Sequence, residues 1–334
     1  MRPKRGNNPL LNLRRLFWVL FGASVVLLTG LLYWGIGPTL ACSFPSSQAP
    51  QAGTSVYRIE SDGRQRCYIL VLPPDFDPQR PIPLILSLHG FSSNPHGQRS
   101  FSRWDLVAAQ AYAAVVYPQG TGFPQRWNAD PEYTLEGADD VKFIRELIKH
   151  LADQLPVDRT RLFVTGFSNG GAMTLRLACE RNLQIAAIGT VAAPVSPTLA
   201  ACELDRPVPL IAFHGTLDPV VPYTGRSAGE PGQSPSIAQE RMPNHALSAP
   251  NQWVHQWAIK NGCVSEATPL AAHGEVTGVV YHDCLEAASV LFYSIQGGGH
   301  TWPGGGKIPF VGKTTEDIRA SESMWAFFQQ HPLP

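Results

Sequence analysis

Charge is scarce in this sequence. Of its 334 residues only 16% are Asp, Glu, Lys or Arg, and the formal net charge is zero. With no basic surplus there is no positive face to offer to phosphates, which excludes nucleic acid as a partner. No CxxC pair and no His/Cys cluster stands at zinc-ligand spacing, so neither a metal nor another cofactor is expected. No internal repeat is visible. What the chain has in quantity is apolar side chain, 44% of all residues, which describes a globular protein with a large core rather than a disordered or fibrous one.

The few charges are unevenly placed. Arg2, Lys4, Arg5, Arg14 and Arg15 precede residue 16 with no acid among them, leaving the remainder mildly acidic. An uncharged run, "LFWVLFGASVVLLTGLLYW", follows from Leu16 to Trp34. A cleaved signal usually has an apolar stretch of ~7–15 residues and a spanning helix needs ~20, so residues 16–34 fit a membrane anchor with its positive end in the cytoplasm. The small residues of "TLAC", Thr39 to Cys42, keep a cleaved signal or a lipidated Cys42 open as alternatives. In each case the body lies outside the cytoplasm, periplasmic or secreted. The expected organisation is a basic stub with an N-terminal hydrophobic helix over 1–42, a polar linker over 43–54, and a catalytic domain over 55–334.

Six cysteines suit an oxidising compartment. Cys263 and Cys284 flank a segment resembling a hairpin, and Cys179 and Cys202 flank another compact stretch, so Cys179–Cys202 and Cys263–Cys284 are the preferred bridges. Cys42–Cys67 follows by elimination, unless Cys42 carries lipid.

Along the body, strands and helices alternate. "VYRIE" and "RCYILVLP" read as an opening hairpin. "IPLILSLHG", "AAVVYPQG", "RLFVTG", "AAIGTVAAP", "VPLIAFHG" and "SVLFYSI" are near-continuous apolar runs, as in strands buried on both faces of a parallel sheet. In "DDVKFIRELIKHLADQL", Val141, Ile144, Ile148, Leu151 and Leu155 form one apolar stripe, capped by Asp139 or Asp140 and ended by Pro156. "ESMWAFFQQH" is a final helix, and residues 224–250 are a polar surface excursion. The class is α/β, a mostly parallel central sheet with helices on both faces.

Gly166-Phe167-Ser168-Asn169-Gly170 is a GxSxG match between an apolar strand and a helix. A serine on so sharp a turn is presented above the sheet at a helix N-terminus, where developing negative charge is favoured. Its hydroxyl needs a base, and the base an orienting acid. Downstream, Asp218 follows the strand of "VPLIAFHGTLDP", while Asp205 and Asp283 are weaker candidates. His300 comes just after the last strand, in "GGGHTWPGGG". His89 and His214 precede glycines at strand ends and are expected to shape turns. For the oxyanion, one backbone donor is expected from Asn169 and the other from Phe91, or Ser92, in the "LHGFSSN" turn.

"LHG", "RWNA", "DDVKFIRELI", "GFSNGGAM", "HGTLDPVVPY", "NGC" and "GGGHTWPGG" stand in the order seen in a known family. Over roughly residues 55–331 the chain resembles the polyhydroxybutyrate depolymerase/feruloyl esterase group of α/β-hydrolases. The resemblance implies the α/β-hydrolase fold, a small or oligomeric ester as substrate, and Ser168, Asp218 and His300 as nucleophile, acid and base. The absence of a long linker and polymer-binding domain, and of adjacent cysteines near Trp127, points away from insoluble polymer. Trp127 and Trp302 are candidates for lining an acyl or aryl pocket. The expected function is a serine esterase working through an acyl-enzyme. A peptidase-type hydrolase, or an inactive membrane-tethered binding protein on the same scaffold, is the alternative.

Overall fold

The computed structural model describes residues 45–130, 138–228, 246–264 and 266–334. The apolar segment over 16–34 and Cys42, with its pairing to Cys67, lie outside the described residues. Among the described residues no helix is long and apolar enough to cross a membrane.

Ten strands form one sheet: β1 (Gly53–Ser61), β2 (Arg64–Leu72), β3 (Ile82–Leu88), β4 (Ala114–Pro118), β5 (Val157–Phe167), β6 (Ala187–Val191), β7 (Leu210–Gly215), β8 (Thr268–His273), β9 (Val276–Tyr281) and β10 (Val290–Ile295). Their order is β1-β2-β4-β3-β5-β6-β7-β10-β9-β8. From β4 to β10 neighbouring strands are parallel. The β1–β2 and β8–β9 hairpins add antiparallel edges. β1 starts inside the expected linker, because Gly53 and Thr54 complete the register opposite Leu72 and Val71.

The apolar runs are buried on both faces for a physical reason visible in β3. Leu84, Leu86 and Leu88 enter one core, and Ile85 the other. Helices α3 (Asp140–Gln154), α4 (Asn169–Ala178) and α6 (Pro250–Lys260), with the short α5 (Pro197–Ala200), supply the first core. Helices α1 (Pro95–Ser102), α2 (Trp104–Ala111) and α7 (Ala320–Phe328) supply the second, through Phe101, Trp104, Met324 and Phe328. Asp139 caps α3, its carboxylate accepting the Lys142 N–H at 2.9 Å. The buried face of α3 is wider than the expected stripe: Phe143 and Leu147 are fully covered, whereas Ile148 is only partly so.

Two expected disulfides are present. Cys179–Cys202 ties the end of α4 to the segment after α5, and Cys263–Cys284 closes the base of the β8–β9 hairpin. Of the 224–250 excursion, residues 229–245 lie outside the described residues. Its described flanks meet in a bridge between Arg226 and Leu247.

The sheet order reverses around β3, which has β4 on one side and β5 on the other. Such a switch point opens a crevice at the carboxyl ends of the strands. Phe91, Ser168, Asp218 and His300 each follow the carboxyl end of a parallel strand, β3, β5, β7 and β10 respectively.

Candidate active site

Ser168 is the residue immediately before α4, with φ 52° and ψ −124°. That left-handed φ is unusual for a residue with a Cβ, and its strain is held by the surrounding structure. The Ser168 N–H donates to Val191 O at 2.8 Å on the neighbouring strand, and its carbonyl accepts the Ala172 N–H at 3.0 Å inside the helix. Gly170 lies so close to β3 that a Cβ there would fall on the carbonyl oxygens of Leu88 and His89. Only glycine lets α4 start against the β3 turn.

Asp218 is buried with its two oxygens doing different work. Oδ1 accepts the N–H groups of Val220 and Val221, each at 2.8 Å. Oδ2 faces His300 Nδ1 at 2.7 Å and His214 Nε2 at 3.5 Å. Burial pushes this carboxyl upward, but the two imidazoles and the Val221 N–H outweigh it and hold Asp218 below the ordinary carboxylate range. His214 donates Nε2–H to Val221 O at 2.9 Å, and burial lowers its pKa. It is therefore a neutral neighbour of the acid.

His300 is fixed from several sides despite its glycine-rich surroundings. Its N–H donates to Val311 O at 2.7 Å, the Gly299 N–H donates to Lys313 O at 2.9 Å, and the imidazole lies 4.8 Å from the Phe167 ring. With Nδ1 turned to Asp218, Nε2 is the nitrogen left for a proton transfer. Among the described residues Ser168 Oγ and His300 Nε2 make no hydrogen bond to each other.

Of the two expected donors after β3, Ser92 is already engaged, its N–H donating to Gln125 O at 2.8 Å. The Phe91 N–H has no acceptor among the described residues. Gly90 brings this turn up to Ser168, since a Cβ there would lie 3.1 Å from Phe167 Cδ1 and 3.3 Å from Ser168 Cβ. The Asn169 N–H, in the first position of α4, is likewise uncommitted.

Trp127 and Trp302 are both buried. They are 2% and 1% exposed, and each indole N–H is spent on protein: Trp127 on His89 O at 2.9 Å, Trp302 on Ser321 Oγ at 3.1 Å. Trp302 packs with Phe101 and Phe167 behind the His300 turn. Asp205 and Asp283 are exposed, paired with Arg181 and His282, away from the site. His89 does more than shape a turn. Its Nε2 accepts the Gly120 N–H at 2.9 Å, so its proton sits on Nδ1 and is donated to Gly90 O at 2.8 Å. The dipeptide His89-Gly90 at a strand end was the only sequence signal for that role.

A family model described as Phospholipase/Carboxylesterase matches residues 77–242. The chain is similar to the "Putative esterase NocK" of Nocardia uniformis subsp. tsuyamanensis, with 32% identity over 288 residues and 81% of each protein covered. It is similar to Feruloyl esterase B of Piromyces equi, with 30% identity over 278 residues, 80% of this chain and 46% of that one. The chain thus spans less than half the length of the Piromyces protein. Among solved structures, an acetyl xylan esterase from Aspergillus awamori shares the fold, with a TM-score of 0.56 and 14% identity over 82% of this chain and 98% of that one.

Proposed function

The chain belongs to the polyhydroxybutyrate depolymerase/feruloyl esterase-like group of the α/β-hydrolases, and on that premise we propose that it cleaves carboxylic esters through an acyl-enzyme on Ser168. The observation that carries this reading is the 2.7 Å contact of Asp218 Oδ2 with His300 Nδ1, at the same sheet edge as a serine in a strained pre-helical turn. As Ser168 Oγ attacks the ester carbonyl, His300 Nε2 takes its proton and the buried Asp218 stabilises the imidazolium. The Asn169 and Phe91 amides receive the oxyanion, aided by the N-terminus of α4. The tetrahedral intermediate collapses, the alcohol leaves with the proton from Nε2, and the acyl group stays on Ser168. Water then enters and gives a proton to the same imidazole as its oxygen adds to the acyl carbonyl. The intermediate collapses by breaking the bond to Ser168 Oγ, which takes that proton back as the acid leaves.

The substrate class proposed is a small or oligomeric ester, with feruloyl and acetyl-xylan esters first in line because similar proteins carry those names. The protein works outside the cytoplasm, tethered by residues 16–34. Two disulfides support that compartment. Ser168→Ala is expected to abolish hydrolysis of short p-nitrophenyl esters and covalent labelling by a fluorophosphonate, with the circular dichroism spectrum unchanged. Retained hydrolysis in the folded variant overturns the mechanism, and a wild-type protein that neither labels nor hydrolyses is an inactive scaffold.

A further inference from the structure

The turn that carries Phe91 and the turn that carries Asn169 belong to different strands, yet an oxyanion hole needs their N–H groups at one fixed separation. A third loop, after β4, touches both through a single residue. The Trp127 N–H donates to Asn169 Oδ1 at 2.7 Å, and Asn169 Nδ2 donates back to Trp127 O at 3.1 Å. On its other side the Trp127 indole N–H donates to His89 O at 2.9 Å, with the two rings 5.0 Å apart.

We infer that Trp127 is a positioning residue that sets the spacing of the oxyanion donors, acting through the Asn169 carboxamide on one side and His89 on the other. The inference rests on the oxyanion assignment proposed above. His89 extends the device one peptide further. Its Nδ1–H holds Gly90 O at 2.8 Å, and the Gly90 carbonyl and Phe91 N–H are opposite ends of one planar trans peptide. Fixing the oxygen therefore aims the amide. The loop is itself anchored at the next residue, where Arg176 donates to Asn128 O at 2.7 Å and Asp140 accepts the Asn128 N–H at 2.8 Å. An asparagine at the first position of a helix has no packing need for a two-bond clasp. Its side chain reads as a gauge between two loops.

The test compares an aryl ester with its thionoester, in which sulfur replaces the carbonyl oxygen. Donors spaced for an oxyanion discriminate against the larger, weaker acceptor. Asn169→Ala and Trp127→Phe are each expected to lower kcat on the oxygen ester by ~10–100-fold, less than the loss of a donor outright, with KM within about two-fold. The oxygen-to-sulfur rate ratio is expected to shrink by a similar factor. Trp127→Phe keeps an aromatic ring and the main-chain bonds to Asn169 while removing the indole N–H bond to His89 O, so it stays informative if Asn169→Ala folds poorly. A folded variant with unchanged kcat, or a fall in kcat with an unchanged ratio, overturns the inference. Activity surviving Ser168→Ala would instead sink the underlying catalytic reading, so the two failures are distinguishable.

Discussion

Asp218 Oδ2 and His300 Nδ1 stand 2.7 Å apart across 82 residues of chain, and Oδ1 of the same carboxylate is held by two backbone N–H groups. This division of the two oxygens predicts the outcome of Asp218→Asn. The amide oxygen takes the place that accepts from Val220 and Val221, which turns the NH2 toward His300. The imidazole must then accept at Nδ1 and carry its proton on Nε2, the wrong tautomer for a base facing Ser168. A loss of ~10³–10⁴ in kcat on a p-nitrophenyl ester is expected. A variant within about ten-fold of wild type would show that Asp218 does not orient the base.

Gly170 supports a second prediction, because its missing Cβ is what lets α4 begin against the β3 carbonyls. Gly170→Ala forces the Ser168 turn away from the Phe91 turn. Both stability and activity are expected to fall, the clash costing ~1–3 kcal/mol in chemical denaturation. An alanine variant as stable and as active as wild type would mean the two turns move freely past one another.

Much of this arrangement was legible in the sequence because each feature rests on local chemistry. Strands such as β3 and β7 were readable from near-continuous apolar runs, since burial on both faces leaves few polar positions, here only Ser87 and His214. That Ser168, Asp218 and His300 stand at one sheet edge was readable because each follows such a run. What stayed hidden depends on contacts between segments distant in the chain. That the Ser92 N–H is engaged and the Phe91 N–H is not depends on Gln125, whose carbonyl accepts the former. The burial of Trp127 and Trp302 depends on partners elsewhere in the chain, His89 after β3 and Ser321 in α7. The width of the α3 face depends on what packs over Phe143 and Leu147, and no periodicity in α3 itself records that.

His89 predicts a pH dependence of stability. Burial pulls its imidazole down from 6.5 to about 4. Above 6.5 both folded and unfolded chains leave it neutral, so it contributes no pH dependence there. As pH falls from 6.5 toward 4, the unfolded chain takes up a proton that the folded one refuses, so stability declines. The full effect is on the order of 3 kcal/mol, and His214, also lowered by burial, adds in the same direction. Asp218 acts in a lower window. Its folded pKa is depressed, so its contribution is complete above the ordinary carboxylate value and is lost as pH falls through the folded one. Urea denaturation at pH 8, 6 and 5 should show the decline in wild type and a shallower slope in His89→Asn. Equal slopes would assign the loss to other groups.

Beneath the Trp127 loop lies a buried ion pair, Arg66 Nη2 to Asp140 Oδ1 at 2.7 Å, with the side chains 5% and 0% exposed. Arg66 also donates to Gln119 O at 2.9 Å and lies over the Phe143 ring, while Asp140 Oδ2 accepts the Asn128 N–H at 2.8 Å. Arg66→Met strands a carboxylate with no countercharge and is expected to cost ~3–5 kcal/mol in urea denaturation. Adding Asp140→Asn removes that charge yet leaves an oxygen for Asn128, so the double variant should be more stable than Arg66→Met alone. That sign decides the matter: a second substitution that only adds further loss would mean the pair is not held together by its charges.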